Sequence, residues 1–347
     1  MPSEQECQQM VDISKSPFLR AVLFFTSICC LFCVPMSLYS LLRIIKSVKL
    51  HFNSKCIFVT HNLAVLIHCL IRLILHGKDL FNYLAPFTSG CDIMPSRSRC
   101  DLRMIYKITQ YIIEISPIIL TMERFMATFR ARSYENRYKW LGVSLFAVHM
   151  LLAMVMVLVQ NSNKSGDVII YYCWLSSTGN RYSINAAVYL VLSSQLATIP
   201  ALLFILRKNE VFLQQYRQTS LHRSATLTQR YQIFENLRTI NMFRIMSVVT
   251  WFYVSYNALA TYVVHFWLED MAQAGQFGSI ELIHCLPLYY IILSLLVLRE
   301  DKKPSSKFAI KVDNYHPHHY FNELQKFFDE AFEKINIKSS NRIGPKV

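Results

Sequence analysis

The sequence predicts an all-α membrane protein: a seven-transmembrane helix bundle with its N-terminus outside and an amphipathic helix in a cytoplasmic tail. Three observations carry that prediction. Of 347 residues, 53% are hydrophobic and only 17% charged, and the mean hydropathy is +0.27. Such a chain has too little polar surface to cover a soluble globule. Seven apolar runs reach the roughly 20 residues that a helical span needs. Lysine and arginine, finally, are distributed very unevenly between the connecting segments.

The runs cover residues 19–42, 56–76, 104–127, 140–159, 184–206, 242–267 and 279–298. Pro35, Pro117, Pro200 and Pro287 fall inside the first, third, fifth and seventh. A proline within a span frees a backbone carbonyl and kinks the helix, which a bundle tolerates when neighbours bond the freed group. The chain starts Met1-Pro2-Ser3-Glu4-Gln5-Glu6, unlike the basic start of a cleaved signal peptide. The first run is therefore expected to act as an uncleaved insertion signal.

Of the 36 lysines and arginines, 24 fall in three alternate loops and the tail, 7 in the N-terminal segment and the other loops, and 5 in the runs. The positive-inside rule then places the N-terminus outside. It divides the chain into an outer segment 1–18, a bundle 19–298 and a cytoplasmic tail 299–347. A net charge of +14 would suggest nucleic acid in a soluble protein. Here the charge is segregated at one membrane face, so no nucleic-acid partner is expected. The sequon Asn163-Lys164-Ser165 lies in a loop that the charge count puts outside, and Asn163 is a glycosylation candidate.

Ten cysteines are present. Cys7, Cys91, Cys100 and Cys173 lie in outer segments, which face an oxidising compartment. Four cysteines allow three pairings; Cys100–Cys173 with Cys7–Cys91 is the expected set. In the tail, residues 320–335 repeat apolar positions at helical spacing, with a polar face of mixed sign. That helix is expected to lie on the bilayer or under the bundle.

Polar groups inside the runs need the closest weighing, because lipid disfavours them. The outer halves hold Arg72, Lys107, Gln110, Glu114, His265, Glu281 and His284. Lys107 and Glu114 are two turns apart and share a helix face. Together with Tyr189, Tyr253 and Tyr256 they are candidates to line a pocket for a small ligand with a polar end. The bland alternative has Arg72, Lys107 and Glu281 snorkelling to the interface. At the inner end of the third run, Glu123 and Arg124 stand side by side and are candidates for a switch. No metalloprotease or nucleophile-elbow motif is present, and no metal set or cofactor site is expected.

Several of these pieces resemble a G-protein-coupled receptor. A cysteine opens the third span 24 residues before Arg124. Glu123-Arg124-Phe125 is similar to the E/D-R-Y element, and Leu286-Pro287-Leu288-Tyr289-Tyr290 resembles N-P-x-x-Y, with leucine in place of asparagine. More narrowly, three motifs look like those of the nematode serpentine chemoreceptors of the Sra superfamily, classes alpha and alpha/beta, over residues 15–300. These are His51-Phe52-Asn53-Ser54-Lys55, Glu123-Arg124-x-x-Ala127-Thr128 with Tyr134-Glu135, and Arg230-Tyr231-Gln232-x-x-Glu235-Asn236. The resemblance implies a plasma-membrane receptor of sensory neurons that binds a small environmental molecule and activates a heterotrimeric G protein. It implies coupling roles for Glu123, Arg124, Tyr134, Glu135, Tyr231, Glu235, Pro287 and Tyr290. A seven-span ligand-gated channel or transporter is the alternative; it would want repeated halves, and no internal repeat is evident.

Overall fold

The computed structural model describes residues 3–46, 50–130, 140–161, 181–218, 227–267 and 272–302. Tyr134, Glu135, Asn163, Cys173 and the tail helix lie outside the described residues, as do the side chains of Tyr231, Glu235 and His265. The chain forms an all-α membrane bundle. In order the helices are α1 Glu4–Lys15, α2 Pro17–Lys46, α3 Phe52–Leu84, α4 Arg97–Phe129, α5 Leu141–Asn161, α6 Arg181–Gln218, α7 Leu227–Trp267, α8 Gln273–Ile283 and α9 Leu286–Lys302. A short 3-10 turn, Gly90–Ile93, precedes α4.

Five segments, in α2, α3, α5, α6 and the α8–α9 pair, are long and apolar enough to cross a membrane on composition alone. At 33 residues, α4 has the length, at about 1.5 Å per residue, but carries many charges. It tolerates them because most of its ionic side chains are turned inward: Arg99, Arg103, Lys107, Glu114, Glu123 and Arg124 are all buried. α4 accordingly sits at the centre, packed on α3, α5, α6 and α7. α2 packs on α3 and on both α8 and α9, which closes the ring. Outward stripes such as Phe24, Phe25, Leu31 and Phe32 on α2 are exposed, as a surface solvated by hydrocarbon requires. Between such helices lipid supplies no hydrophobic drive, so close packing and interhelical hydrogen bonds decide the arrangement.

Two differences from the sequence expectation bear on the site. The outer segment 1–18 contains a helix. Ser3 caps α1 and Glu6 bonds back to the Ser3 amide at 2.6 Å, a reciprocal capping box readable in Ser3-x-x-Glu6. A disulfide joins Cys7 to Cys91. The α1 backbone lies so close to the 3-10 turn that a Cβ on Gly90 would stand 1.9 Å from the Cys7 carbonyl oxygen. Met10 and Ile13 of α1 join Tyr83, Ile93, Phe277 and Ile280 in an apolar cluster. Arg20 fastens the α1–α2 corner by donating to the Ser14 and Tyr83 carbonyls, each at 2.6 Å.

The seventh run, 279–298, is two helices rather than one. α8 ends at Ile283 with His284 as its cap, the Cys285 amide turns back to the Leu282 carbonyl at 3.3 Å, and Pro287 sits in the first turn of α9. Proline there lacks the amide that would continue the ladder, and its fixed φ suits the start of a new helix.

Candidate functional site

The α8–α9 break leaves carbonyls without intrahelical donors. Arg72 of α3 supplies them: Nη1 donates to the His284 carbonyl at 2.7 Å and Nη2 to the Glu281 carbonyl at 2.8 Å. A guanidinium also meets the negative end of the α8 dipole there. The same Nη2 reaches Glu281 Oε2 at 2.8 Å. Glu281 Oε1 accepts from Arg103 of α4, and His76 Nε2 lies 3.3 Å from Oε2. His76 Nδ1 is in turn 2.9 Å from Thr26 Oγ1 of α2. One carboxylate thus joins α3, α4 and α8, with α2 reached through a histidine.

The ring of Tyr106 lies 5.6 Å from both the Arg72 and the Arg103 guanidinium carbons, within cation–π range, and His68 stacks on it at 4.2 Å. Beside this group, Arg99 and Asp79 form a two-pronged pair, with Nε to Oδ1 at 2.8 Å and Nη2 to Oδ2. Buried charges persist because each meets an opposite charge in hydrogen-bonding geometry. Arg72 and Glu281 therefore do not snorkel. They face each other inside the bundle, fully buried, and hold it together.

Deeper along α4, Lys107 Nζ donates to Gln110 Oε1 at 3.3 Å, and Gln110 Nε2 donates to Glu114 Oε1 at 2.8 Å. The 107–110–114 spacing puts all three on one face. Gln195 of α6 donates to the Glu114 carbonyl. Tyr253 of α7 faces inward and its ring packs on Tyr289 of α9 at 4.7 Å. Among the described residues, Tyr106 OH and Gln195 Oε1 are buried with no partner in hydrogen-bonding geometry, and the Tyr253 hydroxyl meets the Asn257 side chain one turn on. His284 touches α7 at Thr261, with Nε2 to Oγ1 at 3.5 Å. The structure thus brings Arg72, Lys107, Gln110, Glu114, Tyr253, Glu281 and His284 inside the bundle. Tyr189 and Tyr256 it does not. They are 61% and 54% exposed, because each continues a lipid-facing stripe: Tyr189 with Leu196 and Leu203, Tyr256 with Phe252 and Leu259.

At the other end of α4, Glu123 and Arg124 are buried and bonded to each other, Nε to Oε2 at 2.5 Å and Nη2 to Oε1 at 2.6 Å. Ser54 of α3 completes a triangle: it accepts from Arg124 Nη2 and donates to Glu123 Oε2 at 3.2 Å. The guanidinium lies 5.9 Å from the ring of Phe243 on α7. One residue before Ser54, Asn53 Oδ1 accepts from the Gly142 amide of α5 at 3.0 Å. A Cβ on Gly142 would come 2.8 Å from Asn53 Cα, so the approach needs glycine. His51 caps α3 by accepting from the Asn53 amide at 3.3 Å. Thr128 accepts from Asn209 of α6 at 2.9 Å.

Sequence reasoning marked His51-to-Lys55 as a motif but missed that Ser54 and Asn53 build the Glu123–Arg124 surroundings. A small polar pair in an otherwise basic loop was the available signal. Pro287 and Tyr290 are not part of this group. Tyr290 OH donates to Asn62 of α3, eight residues above Ser54, or about 12 Å along the helix. Tyr289 OH and Thr250 Oγ1 of α7 are 2.7 Å apart. Leu286, in the place of asparagine, is fully buried. Cys100 is disulfide-bonded; its partner lies outside the described residues.

Residues 4–336 match the family model for the serpentine type 7TM GPCR receptor class ab chemoreceptors. Among curated relatives from Caenorhabditis elegans, serpentine receptor class beta-6 is 24% identical over 266 residues, 75% of each chain. Class beta-1 is 25% identical over 253 residues, 71% of each. Class beta-2 is 24% identical over 277 residues, 77% of this chain and 76% of its own. The family model is that of class ab, as the motifs suggested, while the named relatives are of class beta and not of class alpha. With almost its whole length matched, the chain belongs to the class ab serpentine chemoreceptors, a seven-transmembrane family of G-protein-coupled receptors.

Proposed function

We propose that this chemoreceptor binds a small environmental molecule in the outer half of the bundle and passes the event along α4 to a heterotrimeric G protein. The supporting observation is that one central helix carries both the Lys107–Gln110–Glu114 chain and the Glu123–Arg124–Ser54 triangle. The cysteine-bearing end with α1 faces outside, the tail from residue 299 lies in the cytoplasm, and the protein resides in the plasma membrane of sensory neurons. The family and the basic loops support this reading.

The triangle is the resting lock. A ligand shifts the bundle toward an active state only in so far as it binds that state more tightly. Release of Arg124 from Glu123 and Ser54 presents a cation to the G protein. Breaking a buried pair leaves an unmatched charge, costing several kcal/mol, so the lock makes two discrete states.

Ligand-dependent nucleotide exchange on a purified G protein, with the receptor in nanodiscs, tests the reading. Glu123→Gln raises basal exchange and Arg124→Ala abolishes stimulated exchange. Wild-type basal and stimulated rates in both variants would refute it.

A further inference from the structure

Five of the ten cysteines lie where α2, α3 and the α8–α9 break come together: Cys29, Cys30 and Cys33 on α2, Cys69 on α3, and Cys285 at the break. All five are free and buried. A cysteine buried only for its size packs as a small hydrophobe. Here sulfur meets sulfur. The Cys69 thiol meets those of Cys30 and Cys33, and the Cys29 thiol meets that of Cys285. Cys30, Cys33 and Cys69 have 0% exposure and sit in the central apolar cluster. Cys30 and Cys69 are each near the middle of their helix. They are 39 residues apart in the chain, so sequence spacing conceals the pair.

Paired thiols are ligands for a soft metal. Cys30 and Cys33 each meet Cys69, yet among the described residues no three His, Cys, Asp or Glu side chains form a group that could hold a metal ion. That sets aside zinc and its four ligands. A monovalent d10 ion needs only two ligands in line, and thiolates select copper(I). The charge fits as well. Each thiol releases its proton to solvent as its sulfur binds, so two thiolates around one copper(I) carry a single negative charge. Arg72, three residues after Cys69, lies within electrostatic reach of both sulfurs, and it shares the Glu281 carboxylate with Arg103. A buried anion persists beside such a cation. We propose that Cys30 and Cys69 form a two-coordinate site for copper(I), and that the ion ties α2 to α3. The Cys29–Cys285 pair is the way in: at 7%, Cys29 is the most exposed of the five.

The test is titration of the whole receptor in nanodiscs with copper(I) against a chromogenic copper(I) chelator, without oxygen and with ascorbate, which leaves the disulfides intact. One ion binds per receptor, and X-ray absorption at the copper edge shows two sulfur neighbours and no nitrogen. Cys69→Ala removes the thiol that both α2 cysteines meet. It weakens binding more than about 100-fold, beyond the loss that follows removal of an outer-shell partner. Cys56→Ala, 13 residues away on the same helix, leaves binding unchanged. Silver(I), a redox-silent substitute, raises the unfolding midpoint of the wild type by about 5–10 °C at about 100 times its dissociation constant. It does not move the midpoint of Cys69→Ala.

Equal binding by the wild type and Cys69→Ala overturns the proposal and leaves an adventitious ion only. A copper environment with nitrogen, or with more than two sulfurs, has the same force. So does a wild type that takes zinc(II) as tightly as copper(I), or whose midpoint silver(I) does not move. The absorption spectrum is read on the wild type, so it decides the matter even where Cys69→Ala fails to fold. The titration uses neither a G protein nor an environmental ligand, and its outcome is separate from that of the coupling assay.

Discussion

Glu281→Gln is the substitution that most directly tests what holds the outer half together. The side chain keeps its size and loses its charge. Two guanidiniums, Arg72 and Arg103, then remain buried beside a neutral amide. Removing one partner of a buried pair costs about 3–5 kcal/mol, and here one carboxylate serves two arginines. At about 2–4 °C per kcal/mol for a large domain, the unfolding midpoint falls by roughly 10 °C. The protein contains its own reporters: Cys30, Cys33 and Cys69 are free and buried, so a thiol-reactive fluorophore reads their exposure on heating in nanodiscs. Arg103→Met in the same background removes one of the two stranded charges. The double variant is therefore more stable than Glu281→Gln alone, with a coupling of about 2 kcal/mol. A midpoint within 2 °C of wild type (about 1 kcal/mol), or strict additivity with Arg103→Met, would refute the reasoning. The charges would then be reaching water.

Two further substitutions probe other parts of the bundle. Tyr290→Phe removes the bond to Asn62 and lowers stability by about 1 kcal/mol, the scale of an interhelical hydrogen bond in lipid, read by the same thermal assay. Cys7→Ser opens a loop whose ends are 84 residues apart. The chain-entropy scale gives about 4 kcal/mol for a loop of that size, and non-reducing peptide mapping should show Cys91 newly alkylatable.

The all-α membrane bundle was legible because lipid imposes a length and a composition. The charged residues of α4 were legible as unusual, but their partners were not. Arg72 and Glu281 are 209 residues apart, and helical spacing gives each a face without saying which neighbour that face meets. Lys107, Gln110 and Glu114 are three and four positions apart on a single helix, so spacing alone places them on one face. Tyr189 and Tyr256 misled because a tyrosine suits both an inner face and a lipid-facing one. The α1 helix was readable from its capping box, yet an apolar-run search passes over a polar helix. The break in the seventh pass was foreshadowed by Pro287, but a proline marks a place for a bend without saying whether the helix kinks or ends.

The guanidinium that closes the α8–α9 break has an evolutionary consequence. In relatives where Arg72 is replaced by a residue unable to donate, the seventh pass must regain its backbone ladder or recruit a donor from another helix. The position of Pro287 and the identity of residue 72 should therefore change together across the family, although 215 positions separate them in the chain.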